Sequence, residues 1–179
     1  MGIKIEIPVN VVTFTRNQYN NWLSGKREDC PDRYCKGLPG TKGFGEYLVG
    51  NFFAEAGYLW IHHDFDVFGA CKPGKYPLAE EILIKYMGRE KYESARTLYK
   101  AVRGFAKVEQ PDLFIYKPDG SEIRFAESKR LDTYDKLRES QVRGLAMFSL
   151  LLGCKAEVFE VLDISKKGQY EPKPVIWEF

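Results

Sequence analysis

No run of roughly 18 apolar residues occurs in this 179-residue chain, which excludes a transmembrane helix. The N-terminal stretch MGIKIEIPVN lacks the apolar region and small-residue cleavage site of a secretory signal. A cytoplasmic protein with reduced thiols is therefore expected. Cysteine is sparse, at four residues, and no pair has the CxxC spacing of a zinc knuckle. Cys30, Cys35 and Cys71, with His62 and His63, form an alternative zinc set, but isolated thiols are the favoured reading. No P-loop run and no Rossmann fingerprint occur, so no nucleotide cofactor is expected. What the chain has in quantity is apolar and aromatic material, 44% and 15% of its residues, enough for a packed core. Disorder is excluded as the main reading, and the length fits one domain over residues 1–179.

The formal net charge is only +2, but it is unevenly spread. Residues 44–71 hold four acidic residues and no Lys or Arg, whereas residues 72–107 hold nine basic and four acidic ones. Basic arms alternating with acidic segments suit a protein that holds a cation at an acidic centre and a polyanion around it. The plainer reading is that the basic stretches are solvated faces.

Periodicity orders the chain. A strand is expected from Ile3 to Val12, then irregular structure, with a loop over Ser24 to Gly43 rich in Gly, Pro, Asp and Lys. Val49, Phe52, Phe53 and Ala56 give a helix over 43–57, closed by Gly57. Residues 58–68 are aromatic and β-branched and predict a strand. Residues 78–103 are helical with a break near Gly88. Residues 112–116 and 122–129 read as two strands joined by the hairpin Lys117-Pro-Asp-Gly120. Leu137, Gln141, Leu145, Phe148 and Leu152 share one face of a helix over 134–152, stopped by Gly153. A strand over 155–163 follows, and Pro174 to Phe179 can add a last one.

Within that order the chemistry concentrates at two strands. Asp112 follows Pro111 and opens the first; Glu127 and Lys129 close the second. Residues two apart on a strand project to one face, and the hairpin brings Asp112 to the same end of the sheet. Two carboxylates and a backbone carbonyl suit Mg²⁺ or Mn²⁺, and the lysine can orient or help deprotonate a water, or stabilise charge on a phosphate.

Pro111-Asp112, followed fifteen residues later by Glu127-Ser128-Lys129, resembles the PD-(D/E)xK nuclease superfamily. Glu46 in the preceding helix, Leu113, and Ser140-Gln141 in a helix ending at Gly153 make the chain similar to the VRR-NUC branch. The resemblance covers residues 43–163 apart from an insertion at about 70–107, and Gln110 stands where the branch has Gly. It implies a single restriction-endonuclease-like α/β domain, with a central mixed β-sheet flanked by helices. It implies that Asp112, Glu127 and the Ser128 carbonyl bind the metal. Lys129 would position the attacking water, and Glu46 would contact a metal-bound water or a second ion. Gln141 would orient Lys129 or a metal-bound water. The reaction implied is phosphodiester hydrolysis leaving a 5′-phosphate, with DNA as substrate (branched or flapped in many members, RNA remaining open). A homodimer and a phage or mobile-element setting are further implications.

Arg130, Arg143 and, in the insertion, Lys91, Arg96 and Lys100 are candidate phosphate contacts. Tyr86, Tyr92 and Tyr99 read as core rather than stacking platforms. Asp64 and Asp66 form a second, weaker carboxylate pair, and His62-His63 reads as partly exposed strand. Two rival functions are carried: a nuclease-fold protein that binds nucleic acid without cutting it, and a protein-binding inhibitor module.

Overall fold

The computed structural model describes residues 2–68 and 74–178. Cys71 and the start of the insertion lie outside the described residues. The expected opening strand is two strands, β1 (Lys4–Ile7) and β2 (Val9–Phe14), which join different sheets. Pro8 separates them: it has no N–H to donate to a ladder, and its carbonyl accepts from the Val158 amide at 2.9 Å.

The main sheet adds β3 (Leu59–His62), β4 (Leu113–Tyr116), β5 (Ile123–Arg130) and β6 (Lys155–Asp163), in the order β2-β6-β5-β4-β3. β2, β6 and β5 run parallel; β5, β4 and β3 alternate antiparallel. The C-terminal β7 (Val175–Glu178) pairs with β1 in a separate ribbon. This is an α/β fold with a mixed five-stranded sheet flanked by helices.

Strand alternation divides the core in two. Leu113, Ile115 and Ala126 face α3 (Phe44–Glu55), with α1 (Arg16–Leu23) and α2 (Arg33–Gly37) on the same side. Phe114 and Phe125 face α4 (Pro77–Met87), α5 (Arg89–Arg103) and α6 (Glu139–Leu152). Tyr92 and Tyr99 are buried there as expected, with Tyr86 partly buried against them. No helix among the described residues is long and apolar enough to cross a membrane.

Several boundaries differ from expectation. Helix α1 lies in a stretch read as irregular. Its signal was the Thr15-x-x-Gln18 capping box, in which each side chain bonds the other's backbone amide. β3 ends at His62 because His63 turns into the left-handed region (φ 73°), and Phe65, Val67 and Phe68 enter the core as irregular chain. α6 starts at Glu139 rather than near 134, because Tyr134 is left-handed (φ 57°), closing a 3₁₀ turn (Leu131–Thr133), and the N-cap Arg138 is extended.

The stretch 24–43, expected as a loop, contains the short helix α2 and is ordered by a buried arginine that has no carboxylate partner among the described residues. Arg27 donates to the carbonyls of Trp22 (2.9 Å), Lys36 (3.0 Å), Leu38 (2.5 Å) and Gly40 (2.9 Å), and lies over the Trp22 ring. Arg27→Met keeps the stem but orphans these carbonyls. A loss on the order of 3 kcal/mol is expected, read by urea denaturation. A midpoint equal to wild type would show that water replaces the guanidinium without cost.

Candidate active site

Four buried polar side chains, Glu127 to Arg130, end the central strand β5. Alternation sends Glu127 and Lys129 toward α6, and Ser128 and Arg130 toward α3. A Cβ at Gly45 would stand 2.6 Å from Ser128 Oγ, so this glycine lets the first turn of α3, with Glu46, approach the strand end. Asp112, one residue before β4, accepts the Ser128 amide on Oδ2 at 3.0 Å. The hairpin Lys117–Gly120 thus brings the two motif halves together as expected.

Glu127 is fully buried and pairs through Oε1 with Lys129 Nζ at 2.9 Å. Gln141 Nε2 donates to the same oxygen, while Gln141 Oε1 accepts the Arg138 amide at 3.0 Å. Both ends of the amide are therefore used, and Gln141 orients the carboxylate rather than Lys129. Among the described residues Glu127 Oε2 receives no N–H or O–H donor, and the neighbour with which this carboxyl can share a proton is Asp112. Lys129 also reaches Asp135 at 3.4 Å.

Burial, and then the charge of Asp112, pushes the Glu127 carboxyl well above the ordinary carboxylate range. Burial also raises Asp112, against the Ser128 amide and Lys129. Glu46 is raised by burial and by Asp112. For Lys129, burial opposes the charge, but Glu127, Asp112 and Asp135 outweigh it and raise the group. These carboxylates therefore hold Lys129 as an ammonium in the metal-free protein.

Carboxyl groups raised on folding bind more protons folded than unfolded between the two values, so stability falls as pH rises through that window. Without a divalent ion the protein is expected to lose stability as pH rises above 4.5. Mn²⁺ should raise the melting temperature more near neutral pH than at about pH 5, where protons compete for the carboxylates. Calorimetry across pH checks this; a metal effect equal at both ends would remove the carboxyl groups as its cause.

Among the described residues, no three His, Cys, Asp or Glu side chains form a metal-holding group. The donor set is two carboxylates, one with a buried oxygen that receives no N–H or O–H donor, and that fits a hard cation held by few side chains and water.

Several supporting contacts were not legible in sequence. Gln110, in the position expected to alter the turn before Pro111, holds the chain after β3: Oε1 accepts the Val67 amide at 3.0 Å and Nε2 donates to the Phe65 carbonyl at 2.7 Å. Asp32 caps α2 through the Cys35 amide and accepts the His62 amide at 2.9 Å. His62 Nδ1 in turn lies 2.9 Å from the Asp112 carbonyl. A cleft of about 510 Å³, lined by Tyr34, Lys42, Glu46, His63 and Asp112 among others, opens onto these groups.

The remaining candidates are placed differently. Arg130 is buried, paired with Asp132 at 2.5 Å, and donates to the Thr41 carbonyl, so it braces α3 from the face opposite Lys129. Arg143 pairs with Glu139 and donates to the Lys107 carbonyl. The Arg96 side chain is mostly covered and sits 3.8 Å from Glu93. Lys91 and Lys100 are exposed on α5. Asp64 is exposed beside His63, while Asp66 is half-buried. The thiols of Cys30 and Cys35 are buried and donate to the carbonyls of Asp32 and Gly43.

No protein-family model, no curated protein and no solved structure matches this chain.

Proposed function

We propose that this chain is a divalent-metal-dependent nuclease with a restriction-endonuclease-like fold. The observation that carries the reading is Glu127: a fully buried carboxylate, aimed by Gln141 and Lys129, with one oxygen that receives no N–H or O–H donor and Asp112 beside it. Glu127 and Asp112 are two buried carboxyls beside one ammonium, an excess of negative charge that a divalent cation or a proton would offset. The order α3, β3, β4, β5, α6, β6 supports the same reading, since it places Glu46, Asp112, Glu127, Lys129 and Gln141 at one end of one sheet.

Asp112 and Glu127, with the Ser128 carbonyl, would hold Mg²⁺ or Mn²⁺, and Glu46 would bind one of its waters. The ion would lower the pKa of a bound water and polarise a phosphate oxygen. The chain's own groups do the rest. Lys129 would orient the attacking water, or stabilise charge on a phosphate oxygen, from its ammonium. Gln141 keeps Glu127 in one orientation. The cleft over Glu46 and Asp112 receives the strand, with DNA the substrate we favour.

The test is incubation of purified protein with labelled linear, flapped and four-way-junction DNA, in EDTA, Mg²⁺ or Mn²⁺, beside Lys129→Met. Metal-dependent cutting that the variant lacks is expected. If no substrate is cut with either metal, the nuclease reading gives way to nucleic-acid binding without catalysis or, where DNA is not bound either, to a protein-binding module.

A further inference from the structure

Among the described residues, two besides glycine have φ in the left-handed region: His63 at 73° and Tyr134 at 57°. Glycine or asparagine would occupy such positions at lower conformational cost. Both residues instead carry aromatic rings into solvent. Tyr134 is 87% exposed, so its ring gains little from burial, and the His63 side chain is half exposed.

Their places in the fold are related. His63 directly follows His62, which contacts the Asp112 carbonyl. Tyr134 directly precedes Asp135, which pairs with Lys129. One left-handed aromatic therefore directly follows β3, beside Asp112, and the other closes the 3₁₀ turn that follows β5, beside the Asp135–Lys129 pair. The His63 ring is extended by Tyr34, stacked on it with centroids 3.8 Å apart and planes 10° apart. Tyr34 is itself partly exposed, and both rings line the cleft with Lys42, Glu46 and Asp112. Exposed Arg33 and Lys36 on α2 add positive charge to the same segment.

Rings held in strained, solvated positions beside a phosphate-cleaving site fit one ligand chemistry. A base offers a flat face, stacks on any aromatic ring, and tolerates any sequence. A base inside a duplex has both faces covered and cannot do so.

We propose that Tyr34, seated on His63, and Tyr134 form stacking shelves for unpaired nucleobases on either side of the scissile phosphate. The substrate class is then a single-stranded or frayed strand and not intact duplex. This rests on the nuclease reading for the position of the phosphate, but binding tests it without cleavage.

The probes are fluorescein-labelled oligothymidylate, an abasic strand of the same length and charge, the matched duplex, and oligouridylate to separate DNA from RNA. Affinities are measured by anisotropy in EDTA on the full chain. Wild type is expected to bind oligothymidylate about tenfold tighter than the abasic strand. Tyr34→Ala and Tyr134→Ala should each lose about tenfold on oligothymidylate and nothing on the abasic strand, while Tyr34→Phe should retain wild-type affinity. Both tyrosines are exposed, and circular dichroism confirms that the variants fold. Equal wild-type affinity for the base-bearing and abasic strands, preference for duplex, or unchanged affinity in both alanine variants overturns the shelves, even if the DNA assay shows metal-dependent cutting. Base-dependent binding lost in the variants supports them even where no strand is cut, which would count against the nuclease reading alone.

Discussion

Glu127→Gln is expected to lower metal-dependent cleavage by on the order of 10³-fold or more, since metal-supported charge stabilisation amounts to several kcal/mol. The fold should survive. The glutamine carbonyl can still accept from Gln141 and Lys129, and Lys129 retains Asp135 and the field of Asp112. Metal-free stability should stay within about 1 kcal/mol of wild type, and its decline with rising pH should flatten, because the most strongly raised carboxyl is gone. The Mn²⁺-dependent rise in melting temperature should shrink with it. Lys129→Met is the informative contrast. It leaves Glu127 and Asp112 buried together without their nearest cation, which costs about 3 kcal/mol or forces a proton onto the pair. Denaturation of both variants across pH separates the two roles. Wild-type cleavage by Glu127→Gln would remove Glu127 from the chemistry whatever its stability.

Gly144→Ala is expected to damage both fold and site from outside the acidic centre. A Cβ on Gly144 would lie 1.8 Å from the Glu109 carbonyl oxygen and 3.0 Å from its carbon. The obstacle is backbone, so no side chain can rotate away. Helix α6 or the segment 107–112 must shift. That segment is tied to α6 through the Glu109 amide on the Ser140 carbonyl and through Glu109 with Ser140 and Arg138, and it runs directly into Pro111 and Asp112. A loss of about 3 kcal/mol, or roughly 10 °C in melting temperature, is expected. Cleavage should fall even well below the melting temperature, because Asp112 moves relative to Glu127. A melting temperature within about 2 °C of wild type, with full activity, would show that the interface relaxes freely.

The two predictions draw on different kinds of information. Glu127 and Lys129 were legible because strand alternation and a hairpin are local: two residues apart means one face, and Pro-Asp-Gly means a tight return. The same local rules placed α3, the break at Gly88, β6 over residues 155–163 and the stop at Gly153 (φ 62°). Where a local rule was overlooked, as with the Thr15–Gln18 capping box, the sequence still held the signal.

The rest depended on contacts between segments far apart in the chain. Arg130 reads as a surface cation until alternation and the packing of α3 bury it against Thr41 and Asp132. Gln110 reads as a departure from a turn motif until its amide is found holding Phe65 and Val67. Tyr34 lies in a stretch with no periodicity that folds as the five-residue helix α2, and only the fold stacks it on His63 beside Asp112. Strand and helix patterns follow from the preferences of neighbouring residues, so sequence alone determined most of the elements, α1 and α2 excepted, and the adjacency of the acidic pair. Burial, the raised carboxyl groups and the aromatic rim depend on what solvent each group loses to distant chain, and only the tertiary structure decides that.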